Sequence, residues 1–247
     1  MKYSLPVGGA LGHQDLKHAL KKPDETSITD LTVKDKHNKL HPFHIGERLA
    51  PNQKLAPKWP QLQYGAIPEV DKNNYTLEVL YHGQLLGSLT LDDLLSHHGR
   101  RSLPDVDFHC VTGWSCLGLT FDVIPLTDLY TTKHNGDKRV FCTCIDGFTS
   151  SLQMENWRQA YICFGALGLP LEPKHGYPVR LLVPTKYGFK SAKWIKSIDI
   201  IEQDTLGFWE LRGYDDSADP WLEERFAGKT GQDGLTAAQR AKRELKK

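Results

Sequence analysis

The sequence predicts an α+β domain built from mixed β-sheets with short helices between the strands. Strand-sized runs, some alternating and some continuously apolar, recur between residues 76 and 201. The helix signals between them are brief. They do not alternate one for one with the strands, as a doubly wound parallel sheet requires. A chain of 247 residues is long enough to bury a full core. No apolar run approaches the roughly 20 residues that a membrane-spanning helix needs. With 31 Lys and Arg against 30 Asp and Glu, no global field favours nucleic acid or a membrane surface, so any electrostatic specialisation must be local.

Taken in order, residues 1–45 are polar and rich in His and Lys, which predicts an irregular N-terminal extension. Pro51, Pro57, Pro60, Gly65 and Pro68 then exclude regular elements and predict extended chain crossing a surface. Residues 76–81 alternate as a half-buried strand, His82 and Gly83 turn the chain, and residues 84–89 return. Thr90 followed by Asp92 and Asp93 is the start of a short helix. Val106, Phe108 and Cys110 share one face of a strand that runs into the loop 112–115. Residues 123–130, with Thr127 as cap, are expected to form a second short helix, and residues 155–164 a third. Strands are expected at 139–144, 178–183 and 193–201. The domain is placed at 46–226, with a basic C-terminal tail over 227–247. The first twenty residues contain neither a signal-peptide apolar core nor a twin arginine, and five cysteines are a sparse, odd set. Both point to an unexported, cytoplasmic protein.

Two constellations carry chemistry. The first lies between Pro173 and Ile198, which holds Lys174, His175, Arg180, Lys186, Lys190, Lys193 and Lys196 and no Asp or Glu. Cations interleaved with apolar residues and Gly188 suit a phosphate or pyrophosphate. The same run also suits a solvated basic loop, or a nucleic-acid surface, although no basic and aromatic stripe extends over several elements. The second is Cys110, placed where a strand meets a glycine-containing loop. It suits a soft metal ligand or a nucleophile, and equally a small buried hydrophobe. His109 points to the opposite face and is not expected to serve as its base. Cys142 and Cys144 are too few for a structural zinc site. The GGALG run near residue 10 lacks a preceding strand, and His41 and His44 suit a surface pair.

In chain order, the blocks Phe108-His-Cys-Val-Thr-Gly-Trp-Ser115, His175-Gly-Tyr-Pro-Val-Arg180, Tyr187-Gly-Phe-Lys-Ser-Ala-Lys-Trp-Ile195 and Gly207-Phe-Trp-Glu-Leu-Arg-Gly-Tyr214 resemble the molybdopterin domain of the sulfite oxidase family. The resemblance covers residues 47–226 and is nearest to the small sulfite oxidase-like proteins and the protein-methionine-sulfoxide reductase catalytic subunit. The Pro-rich approach and Trp59-Pro60 fit the same group. The resemblance implies a molybdenum-molybdopterin cofactor, with Cys110 as the metal ligand. It implies that Thr143, His175, Arg180, Ser191, Ala192 and Lys193 bind the cofactor, and that Lys190 and Ser115 face the substrate. Sulfite oxidases carry Arg at the positions of Ser115 and Lys190 and an active-site Tyr at Phe164, so the cation cage for sulfite is incomplete unless Arg48 completes it. Oxygen-atom transfer to or from a small oxo donor or acceptor is therefore expected, with sulfoxide or N-oxide reduction favoured over sulfite oxidation. Sulfite oxidation proper and a non-catalytic cofactor carrier are the alternatives. Without a haem or flavin signature, a separate electron-transfer partner is implied.

Overall fold

The computed structural model describes residues 48–130 and 136–227. The expected N-terminal extension, the GGALG run, the His41 and His44 pair and the tail beyond residue 227 lie outside the described residues. Eleven strands among those described form two sheets. In the first, β5 (Trp114–Pro125) is the hub. It pairs in parallel with β1 (Lys54–Leu55) and antiparallel with both β4 (Arg101–Cys110) and β8 (Tyr161–Ala166). Beyond β8 lie β9 (Leu169–Pro170) and β10 (Arg180–Leu182). The second sheet runs β3 (Gln84–Thr90), β2 (Thr76–Tyr81), β11 (Ile195–Ile201), β6 (Arg139–Cys144) and β7 (Thr149–Gln153). Its central β2–β11 pair is parallel and its other pairs are antiparallel. The expected architecture of mixed sheets with short helices is the observed one.

Period-two alternation divides the interior into two cores. Ile162 and Phe164 of β8, Ile124 of β5 and Leu181 of β10 face the second sheet, where they meet Leu77, Val79, Val140, Cys142, Ile198 and Ile200. Tyr161 and Cys163, Val123 and Leu182 face the other way, against Leu103, Phe108, Phe121 and Leu171. Arg180 lies on this second face, and that is how a cation comes to sit beside Phe108.

The helix α1 (Leu91–Leu95) starts as expected. The Thr90 hydroxyl accepts from Asp93 N while Asp93 accepts from Thr90 N, a reciprocal cap. Two other expectations fail. Val123, Ile124 and Pro125 end β5, and only Leu126–Leu129 is helical (α2), with Pro125 at its cap and Thr127 inside it. Residues 155–164 divide into a 3₁₀ turn, Met154–Gln159, and the central strand β8. Tyr161–Phe164 is a continuous apolar run buried on both faces, so its periodicity did not separate helix from strand.

Candidate functional site

The β4–β5 hairpin presents Cys110. Its turn is fixed at the backbone: Gly113 N donates to Cys110 O at 3.0 Å, with Gly113 at φ +100°, a conformation that favours glycine. Gln53 Nε2 donates to the same carbonyl at 3.2 Å, and the Arg225 guanidinium donates to Val111 O. Cys110 is 8% exposed and lines a cavity of about 290 Å³, and burial raises its pKa above the usual thiol value. Its Sγ lies 3.1 Å from Thr112 Oγ1. His109 points to the other face as expected, with Nδ1 2.7 Å from Ser115 Oγ and its ring edge-on to Trp221. Burial pushes its pKa down to about 4.

Across the cavity lies the 173–194 segment. Gly188 is where it approaches β4 closely, since a Cβ there would stand 2.4 Å from the Phe108 ring. Arg180 is buried, and its guanidinium donates only to carbonyls: Leu181 O at 3.3 Å, His175 O at 2.9 Å and Ser191 O at 2.7 Å. No carboxylate among the described residues pairs with it, and desolvation lowers its pKa to about 10. Lys193 Nζ donates to Leu62 O at 3.0 Å and Lys174 O at 2.9 Å. Burial, with Arg180 nearby, lowers its pKa to about 8. His175 stacks on Trp59 at 4.2 Å, and burial followed by the Arg180 charge lowers its pKa to about 4. It is therefore a neutral imidazole at pH 7 and not part of a cation cluster. Ser191 and Ala192 also line the cavity, and the Ser191 hydroxyl accepts from Val183 N at 2.9 Å.

Cys110, His175, Arg180, Ser191, Ala192 and Lys193 thus converge on one cavity, whose lining among the described residues contains a single carboxylate, Asp146. Three other expected site residues do not reach it. Lys190 turns away between Phe189 and Ser191 and is 1% exposed, bound to Ser151 O, Glu210 and Asp216. Ser115 is fully buried against His109. Thr143 lies between Cys142 and Cys144, which enter the main core, so its side chain takes the opposite face of β6, in register with Ser197 and Thr149. Phe164 belongs to the main core, and Arg48 is held by Asp105 and Asp107.

Sequence reasoning assigned no individual role to several lining residues. The strap 59–64 and the Trp209 and Tyr214 wall were visible only as a Pro-rich stretch and an aromatic block, and Asp146 gave no signal. The segment without acids in sequence is partly neutralised in space, because Lys174 pairs with Glu172 at 2.6 Å and Lys190 with Glu210.

Residues 64–209 match the family model described as oxidoreductase molybdopterin binding domain. The chain is 31% identical over 190 residues to the uncharacterized oxidoreductase YuiH of Bacillus subtilis (strain 168), covering 72% of this chain and 92% of that protein. It is also 31% identical over 180 residues to a putative protein-methionine-sulfoxide reductase subunit, YedZ1, of Azospira oryzae, covering 66% and 67%. Among solved structures, the sulfane dehydrogenase SoxCD of Paracoccus pantotrophus shares the fold, with a TM-score of 0.51 and 21% identity over 58% of this chain and 42% of that one. The chain belongs to the family of oxidoreductases with a molybdopterin-binding domain, of the sulfite oxidase-like kind.

Proposed function

We propose that this domain holds a molybdenum-molybdopterin cofactor between Cys110 and the 173–194 segment and catalyses oxygen-atom transfer, reducing a neutral sulfoxide or N-oxide to the sulfide or amine. The observation that carries the reading is that a buried thiol and a guanidinium without a carboxylate partner line the same cavity. A desolvated cation held by neutral carbonyls and by the Trp59 and Phe108 rings favours an incoming anion, and a phosphate satisfies it with charge-assisted hydrogen bonds. Lys193 and the backbone at Ala192 add donors on the same side, while neutral His175 offers a ring nitrogen without further charge. Cys110 is the one sulfur donor in the lining among the described residues, which suits a thiophilic metal. When bound, the cofactor supplies the two-electron redox chemistry. The protein's own contribution is to anchor, orient and exclude water.

The substrate reading rests on the wall beside Cys110. Thr112, Trp114, Phe189 and Tyr214 line it, while the two cations expected to complete an oxyanion cage are occupied, Lys190 in buried ion pairs and Arg48 with two aspartates, and Arg225 is held on Val111 O. An oxyanion such as sulfite needs fixed positive charge once it is desolvated, and a neutral oxide does not. Reduction of a sulfoxide takes up two electrons and two protons and releases water, so a separate electron-transfer protein is part of the proposal. The name of the Azospira relative as a subunit is consistent with such a partner. A reducing, cytoplasmic setting is proposed as well, supported by five buried unpaired thiols.

Metal and pterin analysis, with dye-linked sulfoxide reduction and sulfite oxidation assayed on one loaded sample, tests the reading. Higher catalytic efficiency with the sulfoxide is expected. Efficient sulfite oxidation without sulfoxide reduction would overturn the substrate assignment, and turnover without molybdenum or tungsten would overturn the cofactor assignment.

A further inference from the structure

The contact between Cys110 and its neighbour in the turn has a direction that the metal-free geometry leaves open. Thr112 Oγ1 and Cys110 Sγ are 3.1 Å apart, and in the thiol form either atom can donate. A sulfur that ligates a metal is a thiolate, with no proton to give. Thr112 must then be the donor, because Sγ can only accept. We propose, resting on the reading of Cys110 as the metal ligand, that Thr112 is a positioning residue whose hydroxyl donates to the ligand sulfur and raises the reduction potential of the site.

Three features make this contact part of the structure and not a passing rotamer. The turn that brings residues 110 and 112 together is closed by Gly113 N on Cys110 O, and Gln53 reaches the same oxygen from before β1. Arg225, from beyond the Trp209 and Tyr214 wall, holds Val111 O. The side chain of Thr112 lines the same cavity as Cys110, and although Thr112 itself is exposed, the sulfur it meets is buried, where a hydrogen bond to a charged group is stronger than in bulk. The electrostatic sign follows. A donor on the thiolate withdraws electron density that the sulfur would otherwise give to the metal. The more oxidised metal loses more from this than the reduced one, so the hydroxyl favours the reduced state.

The test compares loaded wild type with Thr112→Val, which keeps the shape and removes the donor, and with Thr112→Ser, which restores it. Molybdenum and pterin content and the mediated reduction potential are measured on all three. The expected result is a more negative potential in the Val variant and a return toward wild type in the Ser variant. Loss of molybdenum from the Val variant that Ser repairs also supports a donor on the ligand sulfur. Equal potentials and equal loading in all three proteins would overturn the inference while leaving Cys110 as ligand intact. A wild type that binds no molybdenum would instead overturn the cofactor reading on which the inference rests.

Discussion

Lys190 Nζ lies 2.5 Å from Glu210 Oε1, and the two side chains are 1% and 2% exposed. The ammonium also reaches Asp216 at 3.2 Å, and Asp216 in turn pairs with Arg139, which holds Asp204 as well. A lysine adjacent to the cavity wall is thus committed to holding the 3₁₀ turn Glu210–Arg212 and the chain that follows it.

Removing one partner of a buried pair leaves the other charge uncompensated and costs about 3–5 kcal/mol. Lys190→Met is therefore expected to lower the unfolding free energy by roughly that amount, and Lys190→Met with Glu210→Met by less than the single substitution. Urea titration of the two variants measures the difference. Equal stability of Lys190→Met and wild type would show that the pair carries no net weight.

Cys110→Ala is expected to fold, because it removes one small buried side chain, yet to purify without molybdenum and without turnover. Wild-type protein is expected to carry the metal stoichiometrically. Elemental analysis alongside a melting curve separates loss of the ligand from loss of the fold.

Lys193→Ala is expected to weaken cofactor retention by about one to two decades, since a charge-assisted hydrogen bond to an anion is worth about 1.5–3 kcal/mol. Arg180→Ala should weaken retention similarly but also destabilise the protein, because it strips donors from His175 O and Ser191 O inside the fold. Pterin content after dialysis, set beside urea midpoints, distinguishes the two. Full retention in both variants would remove these residues from the cofactor site.

The titration of Lys193 gives a pH prediction. Its pKa in the cofactor-free fold is about 8, against 10.5 when free, because it is desolvated beside Arg180. Between these values the unfolded chain holds one more proton than the native one, so this group's contribution to stability rises with pH across that window. Anion binding has the opposite trend. Between pH 7 and 9 Arg180, with a pKa of about 10, keeps most of its charge and His175 stays neutral, while Lys193 loses its charge. Affinity for sulfate, whose own charge is constant there, is expected to be weaker at pH 9 than at pH 7. Lys193→Met should remove that difference in a calorimetric titration.

Legibility in the sequence followed local chemistry. The β2–β3 hairpin, the Thr90 cap and β6 and β11 were readable because alternation, turn residues and capping act within a few residues. Cys110, Arg180 and Lys193 were readable once their order matched a family pattern. The β8 strand was not, because a run buried on both faces has no period to read. Neither was the orientation of Lys190: its partners Glu210 and Asp216 lie 20 or more residues further along, and only the fold brings them under the segment that looked free of acids.

The parallel pairing of β2 with β11 sets an order of events. Val79 takes Ile198 as its partner, and Tyr75 Oη donates to Ile195 O at 2.8 Å, so the second sheet cannot close until the chain is made past residue 201. Trp209 and Tyr214, which complete the cavity wall, come later still. Until then a growing chain has no complete cavity facing Cys110. Such long-range pairings form slowly, and the cavity closes only once residues through Tyr214 have been made. A cofactor finds its whole cavity only after the chain through Tyr214 is in place, which makes loading a late step with its own timing.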